Sequence, residues 1–384
     1  MKRLKRDITN SLLGFIGVMV TANTFANDEF NKQKIIDSLR NNVSSHYVLP
    51  DKAKAVSSLM ESAEFINKFS NINDKKQFAK ALQKEIQTIL SDKHFRVLPP
   101  RVPQAASNQN LLERHQESLT NFRKGGFKSI EMLDGNVGYV KVDGFRAEDK
   151  HKVDGLMNYL RTADAIIIDL RENGGGGQPV NYFTSYFLPD NVVVGKTYHR
   201  YKDSWKVLKT EPIKGDKRLE VPLFILTSDF TFSAAEAFAY NLQARKRATI
   251  VGEVSGGGAH PIQFMPLPNG FRIIMPNRRS YNEITKSNWE GTGVIPDVLT
   301  NAEHTLDKAK ELAKLAAQEY RSELFDELAT MLLKQCDGLK NKEKVDSLVN
   351  KLLYRRHIEP FMVKGFSERL ANEGHQCGAQ LLAP

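Results

Sequence analysis

The sequence predicts an α/β protein in which strands and helices alternate through the middle of the chain. Residues 165–170 form a continuous apolar run that ends in a glycine cluster, which is typical of a strand buried on both faces. Residues 221–226 and 249–251 indicate further buried strands, and residues 233–245 between them carry apolar side chains at helical spacing. Because strands that alternate with helices usually form parallel sheets, we expect a largely parallel sheet at the centre of the protein.

The N-terminus has the three parts of an export signal. A basic stretch at residues 1–6 precedes an apolar run at 12–20 and a small-residue cleavage site at 24–26. We expect cleavage after Ala26, which makes residues 1–26 a signal peptide, and the apolar run is far too short to span a bilayer. The mature protein is therefore predicted to be exported and to have no integral membrane segment. It would be periplasmic in a Gram-negative source and secreted otherwise.

Composition indicates the class of protein and excludes one class of partner. The 384 residues are 41% hydrophobic and 26% charged, as in a soluble globular protein, and their number predicts two or three domains. The net charge is +10, but Lys and Arg are spread along the chain among acidic residues. No cluster of basic and aromatic residues resembles a nucleic-acid-binding module, so nucleic acid is rejected as the main partner.

Four regions follow the signal peptide. Residues 27–98 carry apolar side chains at helical spacing and predict an N-terminal helical bundle. Residues 99–126 are polar, begin with prolines and indicate a connector. Residues 127–301 contain the α/β core, and residues 302–384 return to a helical pattern that predicts a C-terminal helical extension.

Two antiparallel hairpins are expected inside the core. Residues 128–133 and 137–142 flank an Asp-Gly-Asn turn, and Asn269-Gly270 lies between two further apolar stretches. Turns of this composition favour the backbone twist that joins neighbouring antiparallel strands. We therefore expect an antiparallel pair at each place.

The two cysteines, Cys336 and Cys377, both lie near the C-terminus. In an exported protein such a pair meets an oxidising environment in which a disulfide can form. We expect a Cys336–Cys377 disulfide, with two separate thiols as the alternative, because the sequence does not show how far apart the residues lie. Their spacing suits no metal site.

A glycine-rich turn follows the run at 165–170. The four glycines at 174–177 would let backbone N–H groups converge on an anion at the end of a buried strand, so the turn is a candidate phosphate or oxyanion site. Phosphate is the weaker interpretation, because no Gly-Lys-Ser/Thr follows and Pro179 stands where a dinucleotide fingerprint has glycine. A permissive turn without a ligand is the alternative.

Ser233 is a candidate nucleophile because it lies between a predicted buried strand and a predicted helix. The backbone N–H groups that follow it would be placed to stabilise a tetrahedral oxyanion. Ser233 and Glu236 also have the spacing of a capping box. This structural role accounts for both residues without catalysis.

A serine nucleophile also needs a base and an acid that supports the base. His94 lies beside Asp92 at the predicted junction of the bundle and the core, which makes it a candidate base. Glu290 lies in a glycine-rich loop at 288–297 and could orient a histidine or a serine. A surface histidine and a solvated turn are the ordinary alternatives. The carboxylates show no metal-ligand spacing and no histidine pair indicates zinc, so we expect neither a metal nor a cofactor.

Six short motifs follow one another along the chain: DKHFRV, GNVGYVKVDGF, IIIDLRENGGGG, TSDFTFSAAEAFAYNLQ, RATIVGEVSGGGAHP and NWEGTGVIPDV. In this order they resemble the carboxyl-terminal processing (tail-specific) serine proteases, which have tricorn protease and interphotoreceptor retinoid-binding protein as relatives. The resemblance runs from the helical N-terminus to about Leu299. It implies a ClpP/crotonase-like α/β spiral preceded by a helical bundle.

The resemblance implies a role for each candidate residue. Ser233 matches the family nucleophile, and Gly174, Gly175 and Gly176 with the N–H of Ala234 match its oxyanion hole. The tail-specific enzymes use a lysine as base, but the corresponding stretch reads Gly-Gly-Gly-Ala at 256–259, so that lysine is missing. In the tricorn-like arrangement a histidine is the base and a glutamate supports it, and His94 and Glu290 lie in the matching motifs.

Three functions remain open at this point. The leading hypothesis is an exported serine endopeptidase with a Ser233–His94–Glu290 relay, in a cleft between the bundle and the core. The alternatives are a non-catalytic binding protein for an apolar or peptide ligand and an acyl-transferring or ester-cleaving enzyme. Many tail-specific proteases carry a PDZ domain of about eighty residues. The connector is under thirty residues long, so no PDZ domain fits. A peptide or protein substrate is expected, and no oligomeric state is predicted.

Overall fold

The computed structural model describes residues 30–101, 116, 126–146, 150–177, 179–334, 336–355 and 357–383. The expected signal peptide, its cleavage site and most of the expected connector lie outside these residues. In the described part of the chain, no helix is both long enough and apolar enough to cross a membrane. The fold is an α/β core with a helical region on either side of it in the chain, as the sequence predicts.

The N-terminal helices form a bundle, as expected. Asn31 begins the first of them by accepting a hydrogen bond from the Lys34 N–H. Asp74 begins the last by accepting one from the Gln77 N–H at 2.7 Å. Each helix turns its apolar residues inward to a shared cluster. The helices are α1 (Lys32–His46), α2 (Pro50–Glu61), α3 (Ala63–Asn67) and α4 (Lys75–Leu90).

A three-stranded antiparallel sheet joins the bundle to the core. Strand β1 (Arg96–Leu98) leaves the bundle and pairs with β10 (Arg272–Pro276), which pairs in turn with β9 (Ile262–Pro266). The β9–β10 pair is the hairpin expected at Asn269-Gly270, and that expectation is confirmed. Phe271 and neighbouring residues of β10 are buried in the same apolar cluster as the bundle helices. The bundle and the core therefore share one hydrophobic core.

A six-stranded sheet forms the centre of the core. Its strands are β2 (Phe127–Leu133), β3 (Val137–Val142), β4 (Ala165–Asp169), β7 (Leu223–Thr227), β8 (Thr249–Gly252) and β12 (Val298–Leu299). From edge to edge their order is β12-β8-β7-β4-β3-β2. The first five run parallel, and β2 pairs antiparallel with β3. The predictions of a largely parallel sheet and of the β2–β3 hairpin are thus confirmed.

Helices cover both faces of this sheet. They are α5 (Lys150–Tyr159), α6 (Pro179–Ser185), α7 (Ala234–Gln243) and α8 (Thr305–Ala329). In β4, Ile166 and Ile168 belong to the apolar cluster with α5, α6 and α7, whereas Ile167 belongs to the cluster with α8. The small residues Ala313 and Ala317 of α8 are fully buried against the sheet. Burial on both faces is the reason why the strand has a continuous apolar run.

A second antiparallel sheet completes the core. Its middle strand is β5 (Val193–His199), which pairs with β11 (Arg278–Tyr281) on one side and with β6 (Ser204–Lys209) on the other. In the described part of the chain, β6 is the terminal strand of this sheet, so one of its edges is not paired with another strand.

The C-terminal region is helical, as predicted. Cys336 and Cys377 form a disulfide that ties the last helix to the segment after α8. The region is anchored to the core by the buried carboxylate of Asp164, which pairs with Arg321 and His357. The helices that follow α8 are α9 (Lys342–Tyr354), α10 (Pro360–Asn372) and α11 (Gln376–Leu382).

Candidate active site

Ser233 occupies a sharp turn between β7 and α7. Its backbone has φ 57° and ψ −114°, a conformation that residues with a side chain rarely adopt. Strain of this kind costs about 1–3 kcal/mol. The turn is held by Glu236, which accepts a hydrogen bond from the Ser233 N–H at 2.7 Å, and by Phe232, whose N–H donates to the Asn173 carbonyl. A strained strand-to-helix turn displays a hydroxyl at the carboxyl end of a parallel sheet.

The Ser233 hydroxyl meets the imidazole of His94. Oγ of Ser233 and Nε2 of His94 are 3.1 Å apart, although the residues are separated by 139 positions in the sequence. The His94 ring also packs on Phe232, with 4.5 Å between the ring centroids. This distance is within hydrogen-bonding reach, so the geometry has the nucleophile-and-base pairing that covalent catalysis requires.

The loop after α4 places His94. The His94 N–H donates to Oδ1 of Asp92 at 2.9 Å, which closes a short turn. The neighbouring Lys93 donates from Nζ to the Gly256 carbonyl at 2.6 Å and ties this loop to the glycine-rich segment before β9. His94 is thereby positioned by both the bundle and the core.

The surroundings of His94 keep it neutral. Burial lowers the pKa of His94 to about 4. The negative charge of Asp92 raises this pKa, whereas His260 and Arg96 lower it further. At neutral pH the imidazole therefore carries one proton, and Nε2 can accept another from the serine hydroxyl.

Asp92 links His94 to a second histidine that the sequence analysis did not single out. Its other oxygen, Oδ2, lies 2.8 Å from Nδ1 of His260 and accepts a hydrogen bond from the Tyr47 hydroxyl at 3.1 Å. Burial by itself would raise the pKa of Asp92, but the contacts with His260 and His94 hold that pKa below its usual value. Asp92 is thus an ionised carboxylate fixed between two histidines.

Glu290 belongs to the same cluster but does not form a hydrogen bond with His94. Its Oε2 accepts a hydrogen bond from the Ala259 N–H at 2.6 Å and lies 3.6 Å from Nδ1 of His260. Burial raises the pKa of Glu290 against the opposing charge of His260, and Asp92 raises it further. Nδ1 of His94 is buried and has no hydrogen-bond partner among the described residues. The structure therefore brings Glu290 near the base and leaves the base's second nitrogen unsatisfied.

This cluster also has the donor types of a metal site. One ligand atom each from Asp92, His94 and Glu290 lies within 4.8 Å of the others. Both oxygens of Asp92, however, already accept hydrogen bonds, one from the His94 N–H and the other from Tyr47. The geometry is therefore better suited to fixing and stabilising a histidine than to coordinating a cation.

Glu236 organises the turn from inside. Its side chain is 0% exposed, and besides the Ser233 N–H it accepts hydrogen bonds from the Ser255 hydroxyl and the N–H groups of Gly257 and Gly258, all at 2.6–2.8 Å. Burial raises the pKa of this carboxyl, although each of these donors lowers it. The capping-box spacing identified Glu236 in the sequence, but its contacts with Ser255, Gly257 and Gly258 are visible only in the fold.

The glycine turn approaches Ser233 closely. Gly175 has φ +109°, and a Cβ there would lie 2.9 Å from the Ser233 Cβ, so a side chain would collide with the serine. The Gly175 N–H donates to Oδ1 of Asn173 at 2.9 Å, so it is already occupied. Gly176 and Ala234 line the same cleft as Ser233. Ala234 is the first residue of α7, where backbone N–H groups have no partner within the helix. Gly174 is exposed at the start of the turn.

A cleft of about 580 Å³ includes Ser233 in its wall. It is lined by the glycine turn, by α7 with Ala237, by the segment Gly258–Ala259, and by Trp289. Clefts that bind small molecules or peptide side chains are commonly of this size. Ser233 and the glycine turn therefore lie at a cavity that can hold a ligand.

Comparison with proteins of known structure supports this fold. A solved protein from Parabacteroides merdae is 18% identical, with a TM-score of 0.55 over 73% of this chain and 96% of that one. A lipoprotein from Streptococcus agalactiae is 16% identical, with a TM-score of 0.51 over 74% of this chain and 96% of that one. Tricorn protease is 12% identical, with a TM-score of 0.51 over 75% of this chain and 37% of that one. At these identities the likeness shows the fold alone.

Curated relatives match part of the chain. A carboxyl-terminal-processing protease of Synechocystis is 27% identical over 192 residues, which are 49% of this chain and 43% of the relative. A carboxyl-terminal-processing protease of Picosynechococcus is 26% identical over 163 residues, which are 42% of this chain and 38% of the relative. The matches thus cover about two fifths of each relative's length.

Two family models match consecutive parts of the chain. Peptidase family S41 matches residues 136–300, which include Ser233, the glycine turn and Glu290. A model described as the N-terminal domain of Peptidase_S41 in eukaryotic IRBP matches residues 26–124, which include His94. Together the two models span most of the chain. The resemblance found in the sequence is confirmed, and the protein belongs to peptidase family S41.

Proposed function

We propose that this protein is an exported serine endopeptidase that uses Ser233 as nucleophile and His94 as base. The observation that carries the proposal is the 3.1 Å contact between Oγ of Ser233 and Nε2 of a neutral His94, at a strained turn in a cleft. Family membership and relatives named as carboxyl-terminal-processing proteases support hydrolysis of a peptide bond.

The proton moves between the two side chains during the reaction. As Oγ of Ser233 attacks the substrate carbonyl, Nε2 of His94 takes the hydroxyl proton, and a tetrahedral oxyanion forms. The proton then passes from Nε2 to the leaving amine, which leaves an acyl ester on Ser233. Water attacks that ester with the same assistance from His94 and restores the free enzyme.

The oxyanion needs donors on the side of the attacked carbonyl. Among the residues expected from the sequence, we assign this role chiefly to the N–H groups of Ala234 and Gly176. The N–H of Ala234 lies at the start of α7, where the helix dipole adds to its effect. The N–H of Gly175 is already donated to Asn173, so we assign Gly175 to the close approach of the turn, next to Gly174.

Glu290 and Asp92 support the histidine once it is protonated. Asp92 lies on the backbone side of His94, and its charge raises the pKa of His94. We assign to Glu290 the role of accepting the Nδ1 proton of the imidazolium, directly or through a bridging hydroxyl. The buried and unsatisfied Nδ1 of His94 supports this assignment, because a proton placed there needs an acceptor.

A serine-directed fluorophosphonate probe tests the proposal on the mature protein. We expect covalent labelling of Ser233, located by mass spectrometry, and its loss in Ser233→Ala and His94→Ala. The matched controls are Ser347→Ala and His151→Ala, which remove an exposed serine and an exposed histidine elsewhere. Folded protein that is never labelled, but binds a peptide or apolar ligand stoichiometrically, would instead establish a binding protein.

The chemical class of the scissile bond and the export of the chain need separate measurements. Matched peptide and ester substrates distinguish a peptidase from an ester-cleaving enzyme, and we expect turnover of the peptide. The N-terminal sequence of protein recovered outside the cytoplasm should begin at Asn27. Recovery of the uncleaved chain from the cytoplasm alone would contradict export.

A further inference from the structure

Strand β6 brings an unpaired strand edge to the active-site cleft. Four consecutive residues, Lys206 to Lys209, line the cleft that contains Ser233. Because successive side chains of a strand point to opposite faces, a cleft that contacts all four must meet the strand edge itself. The Lys209 carbonyl accepts a hydrogen bond from the Asn181 amide, whereas no further strand of the described chain pairs with this edge. The edge is thus open to an added strand.

The same cleft is positively charged. Lys206, Lys209 and Arg278 line it, and none of the three forms an ion pair with a described residue. The acidic residue in the lining is Glu211, whose carboxylate already pairs with Lys150. Unpaired cations in a concave site concentrate the electrostatic potential and attract a negatively charged ligand.

The part of the cleft nearest the nucleophile is apolar. Ala237 lies one helical turn after Ser233, and Ala259 and Trp289 line the cleft with it. The indole of Trp289 is fixed because its N–H donates to the Gly258 carbonyl at 2.9 Å. The cleft therefore has an apolar region beside the serine and a cationic region along β6, which suits a peptide of mixed character.

We propose that the cleft takes its substrate as an extended peptide segment paired with β6, and that this segment carries an acidic side chain facing Lys206, Lys209 and Arg278. The inference rests on the proposed function, because it names the substrate class of that same cleft. A carboxylate at the substrate's C-terminus has the same chemistry as an acidic side chain, and the experiment separates these two sources.

Binding is measured on the full mature chain carrying Ser233→Ala, so that turnover does not interfere. Fluorescein-labelled peptides are prepared as twins with Glu or Gln at each position, each with a free or an amidated C-terminus, and compared by fluorescence anisotropy. We expect the preferred Glu peptide to bind about 2- to 5-fold more tightly than its Gln twin at low salt. The difference should shrink in about 0.5 M NaCl, because salt screens partly exposed charges.

Charge reversal identifies the groups responsible. Lys206→Glu/Lys209→Glu should abolish or invert the preference for Glu, whereas Lys80→Glu/Lys84→Glu makes the same change in net charge at two exposed positions of α4 and should retain it. Thermal unfolding checks that the variants are folded. N-methylation of alternate peptide N–H groups should weaken binding with a period of two residues, because only every second N–H of an added strand faces β6.

Several outcomes would overturn the inference. Equal affinity of the Glu and Gln twins would overturn it. So would a preference for Glu that persists in Lys206→Glu/Lys209→Glu, or binding that N-methylation does not weaken. A preference for the free C-terminus that is independent of internal Glu would assign the cations to a terminal carboxylate instead. Failure of the proposed function is distinguishable, because absent fluorophosphonate labelling of Ser233 argues against turnover and not against peptide binding measured on Ser233→Ala.

Discussion

Ser233 holds a backbone conformation that its own side chain disfavours. The combination of φ 57° and ψ −114° is the mirror image of extended backbone, which glycine adopts freely. The surrounding contacts maintain it, notably the hydrogen bond from the Ser233 N–H to Glu236. As a result of this conformation, the hydroxyl faces His94 and does not complete a helix cap. Strain at a functional side chain is common where the chemistry requires a fixed position.

Relief of this strain should be measurable. We expect Ser233→Gly to be more stable than Ser233→Ala by about 1 kcal/mol, because glycine removes the strained Cβ and its greater freedom when unfolded offsets only part of the gain. Thermal unfolding of the two inactive variants gives the difference. At Ser347, within helix α9, the same pair should show the opposite order. A less stable Ser233→Gly would argue against strain at the turn.

The pKa of His94 predicts the acid limb of activity. In the folded protein this pKa is lowered to about 4, so the base remains neutral well below the usual histidine value of 6.5. The rate of Ser233 labelling should therefore fall as the pH drops toward about 4, rather than near 6.5. A half-maximal rate near pH 6.5 would show that His94 is more exposed in solution than in this structure.

The free energy of unfolding should also depend on pH because of the lowered pKa of His94. Because the folded pKa of His94 is lowered, the unfolded chain binds the extra proton first, and the stability due to this group falls as the pH drops from about 6.5 to about 4. The raised pKa values of Glu236 and Glu290 act in the opposite direction above pH 4.5. The contribution of His94 is therefore measured as the difference between the unmodified protein and His94→Gln in denaturant titrations at several pH values.

At the scale of elements, one carboxylate connects a helix to a loop. Glu236 lies in the first turn of α7, and it accepts hydrogen bonds from residues of the segment 255–258. The Gly256 carbonyl of the same segment accepts a hydrogen bond from Lys93. That segment leads to Ala259, which donates to Glu290. The helix that follows Ser233, the loop that carries His94 and the loop that carries Glu290 are therefore connected through one short stretch of backbone.

Substitution of Glu236 should disturb both stability and catalysis. In Glu236→Gln the amide keeps the size of the side chain but places an NH₂ group against N–H donors, so at least one buried donor loses its acceptor. We expect a loss of about 1–3 kcal/mol in the free energy of unfolding and slower labelling of Ser233. Glu319→Gln, at an exposed position of α8, is the control. Unchanged unfolding and labelling would remove Glu236 from the set of positioning residues.

At the scale of the whole molecule, the proposed base and the proposed nucleophile come from parts that share a hydrophobic core. Phe271, immediately before β10, is 0% exposed and packs against Phe30 and Phe78, with ring centroids 5.9 and 5.8 Å away. Strand β1, which follows His94, pairs with β10. The relative position of Ser233 and His94 thus depends on this packing.

Loss of this packing should affect the site from a distance. We expect Phe271→Ala to lower the free energy of unfolding by about 3–5 kcal/mol. We also expect it to lower the rate of Ser233 labelling, because a cavity between the bundle and the core would leave the position of His94 less well fixed. Urea titrations followed by circular dichroism and by probe labelling should shift together if bundle and core unfold as one unit. A circular dichroism transition that shifts while labelling stays unchanged would show that the two parts unfold independently.

Much of the architecture was predictable from local patterns. The continuous apolar run of β4 and the helical spacing after Ser233 reflect burial that each segment requires by itself, so they predicted the α/β class, confirmed by the fold. The sheet of β5, β6 and β11 was not predicted. Exposed residues dominate β6, and β11 lies far along the chain, so neither strand has a burial pattern of its own to reveal it.

For the candidate site, the sequence likewise predicted some features and not others. The order of the motifs along the sequence was sufficient to select Ser233, His94, Glu290 and the glycine turn as candidates. Only the tertiary structure shows that Ser233 and His94 lie 3.1 Å apart and that Asp92 pairs with His260 across 168 positions. It also shows that Glu290 accepts a hydrogen bond from Ala259 and forms none with His94. The reason is physical: propensity and periodicity depend on neighbours along the chain, whereas proton transfer depends on distances in space that the packing of separate elements determines.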